Sequence, residues 1–312
     1  MKILVTGAAG FIGSHLCDAL LDDGHVVVGV DDLSLGTTEN IQHLRGESRF
    51  EFVELDILAP AFRDLVVGGA FDCVFHLAAN SDIARSHATP AVDLDRTLMT
   101  TVRVLDAMRA AGIGKIVFSS TSAIYGQIEG SVGESAGPLA PISHYGAAKL
   151  ASEAFISSYA ENYGMQAWIT RFPNVVGPRA THGAIYDFIT RLRQDPSVLR
   201  VLGDGTQQKP YLYVGDLVDA ILYVWKNSSD RFNIYNVGVD STTTVADIAR
   251  IVLEEGGLDS AVAFSGGDRG WVGDVPKFAY DVAKINALGW RASRSSDDAV
   301  RDAARAIWAS YR

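Results

Sequence analysis

Glycine stands at positions 7, 10 and 13 in Thr6-Gly7-Ala8-Ala9-Gly10-Phe11-Ile12-Gly13, where a short apolar run gives way to a helical pattern. Glycines so placed allow a tight turn and let backbone N–H groups at a helix N-terminus approach a pyrophosphate. The spacing is Gly-x-x-Gly-x-x-Gly, not the Gly-x-Gly-x-x-Gly of the general dinucleotide fingerprint, so alone it also suits a plain turn with close helix–sheet contact. Asp31 ends the second apolar run, 18 residues past Gly13. A carboxylate there accepts both hydroxyls of an adenosine ribose and repels a 2′-phosphate, which favours NAD over NADP. Asp32 either helps the same ribose or is a solvated loop residue. Asp56-Ile57 is placed to clamp an adenine, or simply to end a strand.

Tyr145 and Lys149 are four residues apart and share one face of a helix. An ammonium beside a phenol favours the phenolate and lowers a pKa that is ordinarily about 10. Upstream, the hydroxyl cluster Ser119-Ser120-Thr121-Ser122 leads into Ala123-Ile124-Tyr125-Gly126. Hydroxyls at the C-terminal end of a parallel strand lie where ligands bind in such sheets, so the combination points to acid–base chemistry beside a bound dinucleotide.

To hold these groups the chain supplies apolar runs at 3–5, 26–30, 50–55, 73–77, 116–119 and 167–171, with helical patterns between them such as 11–21 and 92–111. Strands that are apolar throughout belong to a sheet covered on both faces. The expected fold is therefore α/β, a doubly wound parallel Rossmann-type sheet. After 171 the texture changes. Residues 172–184 carry Pro and Gly, 201–209 read as loop, and regular patterns resume at 216–225 and 233–238. Thr244 with Asp247 forms a capping signal for a helix whose apolar positions include Val245, Ile248, Ala249, Val252 and Leu253, ended by Gly256-Gly257. The division expected is a dinucleotide-binding part at 1–173, rejoined by the chain at about 213–239, and a smaller C-terminal substrate-binding portion made of 174–212 and 240–312.

Composition excludes several classes. With 312 residues, 48% hydrophobic and 21% charged, the chain is neither disordered nor a coiled coil. A net charge of −10 without any Lys/Arg run argues against nucleic acid and anionic membranes as partners. No apolar run nears the roughly 20 residues of a membrane span, and the start at Met1-Lys2-Ile3 reads as a strand and not as a leader. Cys17 and Cys73 are too few for a disulfide framework or a thiolate metal site, so no metal is expected. Both sit in apolar stretches and are expected to be buried thiols in a reducing cytoplasm.

Over essentially its whole length the chain resembles the extended short-chain dehydrogenase/reductase superfamily, and within it the NAD-dependent nucleotide-sugar epimerases and dehydratases. The resemblance rests on the glycine motif, Asp31, Asp56-Ile57, His76-Leu77-Ala78-Ala79, the hydroxyl cluster with Tyr125-Gly126, and Tyr145/Lys149. Further on it rests on Arg171-Phe172-Pro173-Asn174-Val175-Val176-Gly177-Pro178-Arg179, Gly203-Asp204-Gly205-Thr206, and Tyr280-Asp281-Val282-Ala283-Lys284 with Leu288-Gly289-Trp290. It implies an NAD site formed by Gly7, Gly10, Phe11, Ile12, Gly13, Asp31, Asp32, Ser34, Gly36, Asp56, Ile57, Leu77, Ala78, Ala79, Tyr145, Lys149 and Phe172. Tyr145 would be the acid/base on a sugar hydroxyl, Lys149 would bind the nicotinamide ribose, and Thr121 would be the catalytic hydroxyl, with Ser122 able to share or take that role. Ser81, Thr121, Ser122, Asn174, Arg179, Val201, Lys209, Tyr211 and Arg269 would meet the sugar nucleotide, with Asn174, Lys209 and Arg269 on its diphosphate. Where relatives often carry Asn before the fifth strand, this chain has Thr97.

The same resemblance narrows the reaction. The 4,6-dehydratases and uronate decarboxylases place Glu two residues before the Tyr of Tyr-Gly, and Ala123 stands there in this chain. A 4-keto sugar formed without that carboxyl group is reduced again, so the expectation is a UDP-sugar 4-epimerase with tightly bound NAD. UDP-glucose/UDP-galactose and UDP-glucuronate/UDP-galacturonate are the leading pairs. Alternatives are another nucleotide-sugar oxidoreductase or dehydratase, and a non-catalytic dinucleotide-binding sensor. Arg179, His182, Arg191 and Arg85 are available for a C6 carboxylate. A homodimer formed through helices at 92–111 and 145–163 is implied as well.

Overall fold

The computed structural model describes residues 1–128, 130–267, 275 and 277–311. Contacts divide the chain into two compact units. Met1–Gly126, Gly137–Arg171 and Ile221–Tyr235 form the first, and Gln127–Ala136, Phe172–Ala220 and Asn236–Arg312 the second.

The sheet of the first unit contains β1 (Lys2–Thr6), β2 (Val26–Asp31), β3 (Phe50–Glu54), β4 (Cys73–His76), β5 (Lys115–Thr121), β6 (Gln166–Phe172) and β7 (Phe232–Asn236). Its strand order is β7-β6-β5-β4-β1-β2-β3, with parallel pairing from β3 across to β5. This is the expected doubly wound α/β layer. Between β1 and β4 the chain reverses its direction of winding, and the C-terminal strand ends at such a switch point are where α/β sheets bind ligands. The central strands β1 and β4 form because their residues are apolar on both faces: Ile3, Leu4, Val5, Cys73, Val74 and Phe75 are fully buried. Helices α1 (Phe11–Asp22), α2 (Pro60–Gly68), α3 (Thr100–Ala111) and α4 (His144–Tyr163) follow strands β1, β3, β4 and β5. Phe62 and Val66 of α2 and Val104, Leu105 and Met108 of α3 join Leu4, Val28, Val74, Ile116 and Phe118 of the sheet in one core. Both cysteines are buried free thiols, and burial pushes Cys73 up to about 12.

The helical pattern at 92–111 is not one regular helix. Ala91–Asp93 is α-helical, Leu94–Met99 is a π turn, and α3 follows. A π turn widens the helix by one residue and re-aims the side chains on it. Here those side chains include Arg96 and Thr97.

In the second unit, helices Ala184–Gln194, Val245–Gly256 and Ser296–Ala309 bury Phe188, Ile189, Leu192, Ile248, Val252, Val300 and Ile307 against one another. Thr244 caps its helix as expected, accepting from the Asp247 amide at 3.0 Å, and Gly257 ends it with φ 65°. Contact grouping differs from the sequence division in three places, the simplest being that the first unit's stretch ends at Arg171 and not at 173. Gln127–Ala136 belongs to the second unit because Ser131–Val132 pairs there with Ala279–Tyr280, and the return to the first unit is shorter, Ile221–Tyr235. Residues 201–209 are not all loop, since Gln208–Lys209 pairs with Thr243–Thr244. Among the described residues no helix is long and apolar enough to cross a membrane, and no three His, Cys, Asp or Glu side chains gather as metal ligands.

Candidate active site

The glycine turn is built for close approach. A Cβ on Gly7, whose φ is +73°, would lie 2.8 Å from the Ala78 nitrogen, and one on Gly13 would lie 1.9 Å from the Gly7 carbonyl oxygen. Helix α1 begins after Gly10, with no side-chain cap and no acidic residue in its first turn. Its first N–H groups lack intrahelical partners and carry the positive end of the helix dipole, which suits an anion.

The acids expected at the adenosine end cluster at the ends of β2 and β3. Asp31 is buried, and its two oxygens accept from the Ala9 and Leu33 amides at 3.0 and 2.9 Å. Desolvation raises its pKa, while these backbone donors oppose the rise. A Cβ on Gly36 would lie 2.9 Å from both oxygens, so the loop after β2 lies directly on Asp31. Asp32 accepts from the Ser34 amide and hydroxyl at 3.0 and 2.6 Å. Arg96, on the π turn, donates to Asp32 at 3.1 Å and to Asp56 at 2.8 Å. Ile57 is buried beside them in sequence. An uncapped helix start, a turn with no room for Cβ atoms and a carboxylate at the end of β2 together fit a dinucleotide. Gly7, Gly10 and Gly13 would face its pyrophosphate and Asp31 its adenosine ribose.

Helix α4 positions the acid–base pair. Ser143 caps it, accepting from the Gly146 amide at 3.0 Å. A Cβ on Gly146 would lie 2.5 Å from the Ala123 carbonyl oxygen, so the helix start sits tight on the turn after β5. The Tyr145 hydroxyl is hydrogen-bonded to Thr121, whose Oγ1 also accepts from the Ala123 amide at 3.1 Å. Of the two hydroxyls left open by the sequence, Thr121 is thus the one on Tyr145, while Ser122 opens the short 3₁₀ turn Ser122–Ile124.

Lys149 is not among the groups that act on the Tyr145 pKa in the protein alone. Lys149 is buried, donates to the Ser119 carbonyl at 2.7 Å and stands 4.6 Å over the Phe118 ring. Burial pulls it down to about 7 against the opposing pull of Glu153. Burial likewise pushes Tyr145 up to about 12; the Thr121 hydrogen bond opposes this and the Asp93 carboxylate adds to it. The four-residue spacing is realised, but the ammonium is committed to the strand. Asp93 itself is buried, with one oxygen accepting from Asn80 Nδ2 at 3.0 Å and the other from none of the described residues. Thr97 accepts from the Asn80 amide at 3.1 Å, so it fastens the loop after β4.

His76 ends β4 fully buried, its Nδ1 2.7 Å from Thr6 Oγ1 and its Nε2 3.1 Å from Thr101 Oγ1. Thr6 Oγ1 accepts from the Ala78 amide and Thr101 Oγ1 donates to the Thr97 carbonyl. The run is self-consistent with a neutral ring protonated on Nε2, accepting from Thr6 and donating to Thr101. Burial pulls the His76 pKa down to about 3. Between about 6.5, the unfolded value, and 3 the unfolded chain therefore holds the extra proton, and stability falls as pH falls. Urea unfolding across that window is expected to show a contribution of about 1.4 kcal/mol per pH unit that His76→Gln removes. An equally steep acid arm in the variant would refute this origin.

The second unit carries the expected substrate-side residues. Asn174 is exposed on the strand Asn174–Val176, opposite Tyr211 of Tyr211–Tyr213. Tyr211 is buried and its amide donates to Ser296 Oγ at 3.0 Å. Lys209 lies opposite Thr243, Val201 is buried at the end of Val198–Val201, and Arg179 has φ +66°. Arg191 is engaged with the Arg200 carbonyl at 2.8 Å, which gives it a structural role. In the first unit, Ser81 is exposed after β4. Phe172, the last residue of β6 and the first of the second unit's stretch Phe172–Ala220, is buried. Arg269 and the side chain of Arg85 lie outside the described residues.

A parallel sheet with a glycine turn after β1, an acid closing β2, and a buried Tyr–Lys pair beside a hydroxyl-bearing strand end defines a Rossmann-type, NAD-binding protein with acid–base machinery. The chain belongs to the NAD dependent epimerase/dehydratase family, whose pattern it matches over residues 3–238. It is 38% identical to a UDP-galactose 4-epimerase crystal structure, covering all of both chains with a TM-score of 0.89. It is 31% identical to the UDP-glucuronic acid 4-epimerase of Bacillus cereus in complex with UDP-glucuronic acid and NAD, again covering all of both chains, with a TM-score of 0.90. A dTDP-glucose 4,6-dehydratase of Streptomyces venezuelae with NAD bound is nearly as similar, at 30% identity and TM-score 0.89 over 100% of this chain and 98% of that one.

Sequence reasoning missed Arg96, Asn80, Asp93 and Glu153. Glu153 had a signal, since it continues the four-residue spacing of Tyr145 and Lys149. Arg96 had none, because its reach depends on the π turn.

Proposed function

We propose that the chain is a UDP-sugar 4-epimerase acting on UDP-glucose/UDP-galactose or UDP-glucuronate/UDP-galacturonate through a transient 4-keto sugar. The observation that carries this is the turn after β5. Thr121 engages the Tyr145 hydroxyl, while Ala123 offers only a methyl group where the resembling dehydratases and decarboxylases have Glu. Bound NAD supplies the hydride acceptor and donor. Tyr145 moves the proton at the sugar's C4 oxygen, Thr121 holds that oxygen in line, and Lys149 holds the nicotinamide ribose. Asn174, Arg179, Lys209, Tyr211 and Val201 would hold the UDP-sugar, and Arg269 would join them. Without a second carboxyl group at 123, the keto sugar has only re-reduction open to it, from either face.

The same reading places the protein in the cytoplasm, in keeping with its two free thiols. It also makes the protein a homodimer joined through α3 and α4, where Phe155 and Tyr163 of α4 are exposed at 43% and 53%.

The test is a panel of UDP-glucose, UDP-glucuronate and their N-acetyl relatives, followed by NMR at C4 without added cofactor. Inversion at C4 with no net oxidation is expected. A 4-keto-6-deoxy product would instead identify a dehydratase, and NAD retained with no turnover of any sugar would identify a sensor.

A further inference from the structure

One helical turn beyond Lys149, α4 carries Glu153, 4% exposed, facing Arg171 of β6, also 4% exposed. Arg171 Nε lies 3.0 and 3.2 Å from the two Glu153 oxygens, and Nη2 lies 2.6 Å from Oε2. Its Nη1 donates to the Tyr125 hydroxyl at 2.9 Å. Ser120 Oγ donates to Glu153 Oε1. The carboxylate therefore joins α4, β6 and the residue immediately before Thr121, and Arg171 extends the link to the turn after β5.

Removing two charges from water is costly, and well-packed apolar residues of the same volume often stabilise a core as well or better. Stability alone is a weak reason for this pair. The groups around Lys149 suggest another. Tyr145 and Glu153 flank it on its own helix, β5 turns the Ser119 carbonyl and the Phe118 ring to it, and neutral His76 lies on β4; Asp93 acts on Tyr145 from the segment before the π turn. Glu153 is the anion that favours the ammonium, and Arg171 is ion-paired with Glu153 at 2.6 Å.

We propose that Glu153 is a positioning residue for the reaction: through Ser120 it sets the strand end bearing Thr121, and from one helical turn beyond Lys149 its carboxylate, fixed by Arg171, orients that end of the acid–base pair. This rests on the reading of Tyr145 and Lys149 as the acid–base pair. Arg171 acts one step further out by fixing the carboxylate with its fork and steadying Tyr125.

The experiment compares pH profiles of kcat and KM for the purified NAD-loaded protein with the UDP-sugar it turns over. The variants are Glu153→Gln, Glu153→Asp, Tyr145→Phe and the doubly neutral Glu153→Gln/Arg171→Met, which leaves no unpaired buried charge should the single variant misfold. Glu153→Gln and the double variant are expected to lower the alkaline limb by about one pH unit, with kcat reduced more than KM is raised. Glu153→Asp, which keeps the charge, is expected to keep the wild-type limb. A double variant whose limb coincides with the wild type while Tyr145→Phe is inactive overturns the inference and leaves the acid–base reading intact. Full turnover by Tyr145→Phe overturns that reading itself.

Discussion

Tyr145→Phe is expected to lower kcat for the proposed C4 inversion by about 10²–10⁴-fold, while the purified variant retains its NAD. The size follows from what the substitution removes. Among the described residues the phenol oxygen is the titratable group that engages Thr121, and neighbouring groups cannot replace it: Lys149 is bonded to the Ser119 carbonyl, Glu153 is held by Arg171, and position 123 is Ala. The ring is retained, so the contacts of α4 persist. Retained NAD, read from the absorbance of denatured extracts, separates lost chemistry from lost binding. A rate within tenfold of wild type would remove Tyr145 from the mechanism. In the protein alone burial keeps the Tyr145 hydroxyl near 12, so turnover is expected to rise with pH on the acid side, and its limb reports how far the bound complex lowers that value.

Gly13→Ala is expected to destabilise the protein by about 3 kcal/mol and to strip NAD from it. The added Cβ would meet the Gly7 carbonyl oxygen at 1.9 Å, the Gly7 carbon at 2.8 Å and Ala8 Cα at 3.1 Å, all backbone atoms. These atoms have little room to retreat, because the Gly7 amide is bonded to the Val30 carbonyl at 2.8 Å and the Gly10 amide to the Gly7 carbonyl at 3.2 Å. Relief requires α1 to tilt from the sheet, which would move its N-terminal amides away from where a pyrophosphate would be held. Gly24→Ala is the control. Gly24 has φ +82° and open space around it, so its cost is backbone strain alone, about 1–2 kcal/mol. Urea unfolding and bound NAD read both effects. If Gly13→Ala is no worse than Gly24→Ala and keeps NAD, the close approach is not what the motif provides.

Much of the cofactor side is legible in the chain because its signals are local. Val-, Ile- and Phe-rich runs bounded by turns locate β1 to β6 within a residue or two; the strands covered on both faces are largely apolar, while β3 alternates Phe with exposed Glu51 and still carries the pattern. The glycines at 7, 10 and 13 and the helix signal at Thr244 act through backbone geometry within a few residues. The spacing of Tyr145 and Lys149 states correctly that they share a helix face. It does not state where the ammonium points, because the Ser119 carbonyl that takes it comes from a strand 30 residues earlier.

The amino-acid sequence by itself determined the class of this protein: a doubly wound sheet, a glycine turn after its first strand, an acid closing its second and a Tyr–Lys pair, all written in short-range patterns of size, polarity and backbone freedom. Tertiary structure alone decided which hydroxyl meets Tyr145, that Arg96 spans Asp32 and Asp56, that residues 127–136 join the second unit, and that Glu153, Arg171, Ser120 and Tyr125 close into one buried network. These depend on which elements the fold brings side by side and how much water it leaves between them. Burial acts on Tyr145 and Lys149 more strongly than any neighbour a residue pattern could have named.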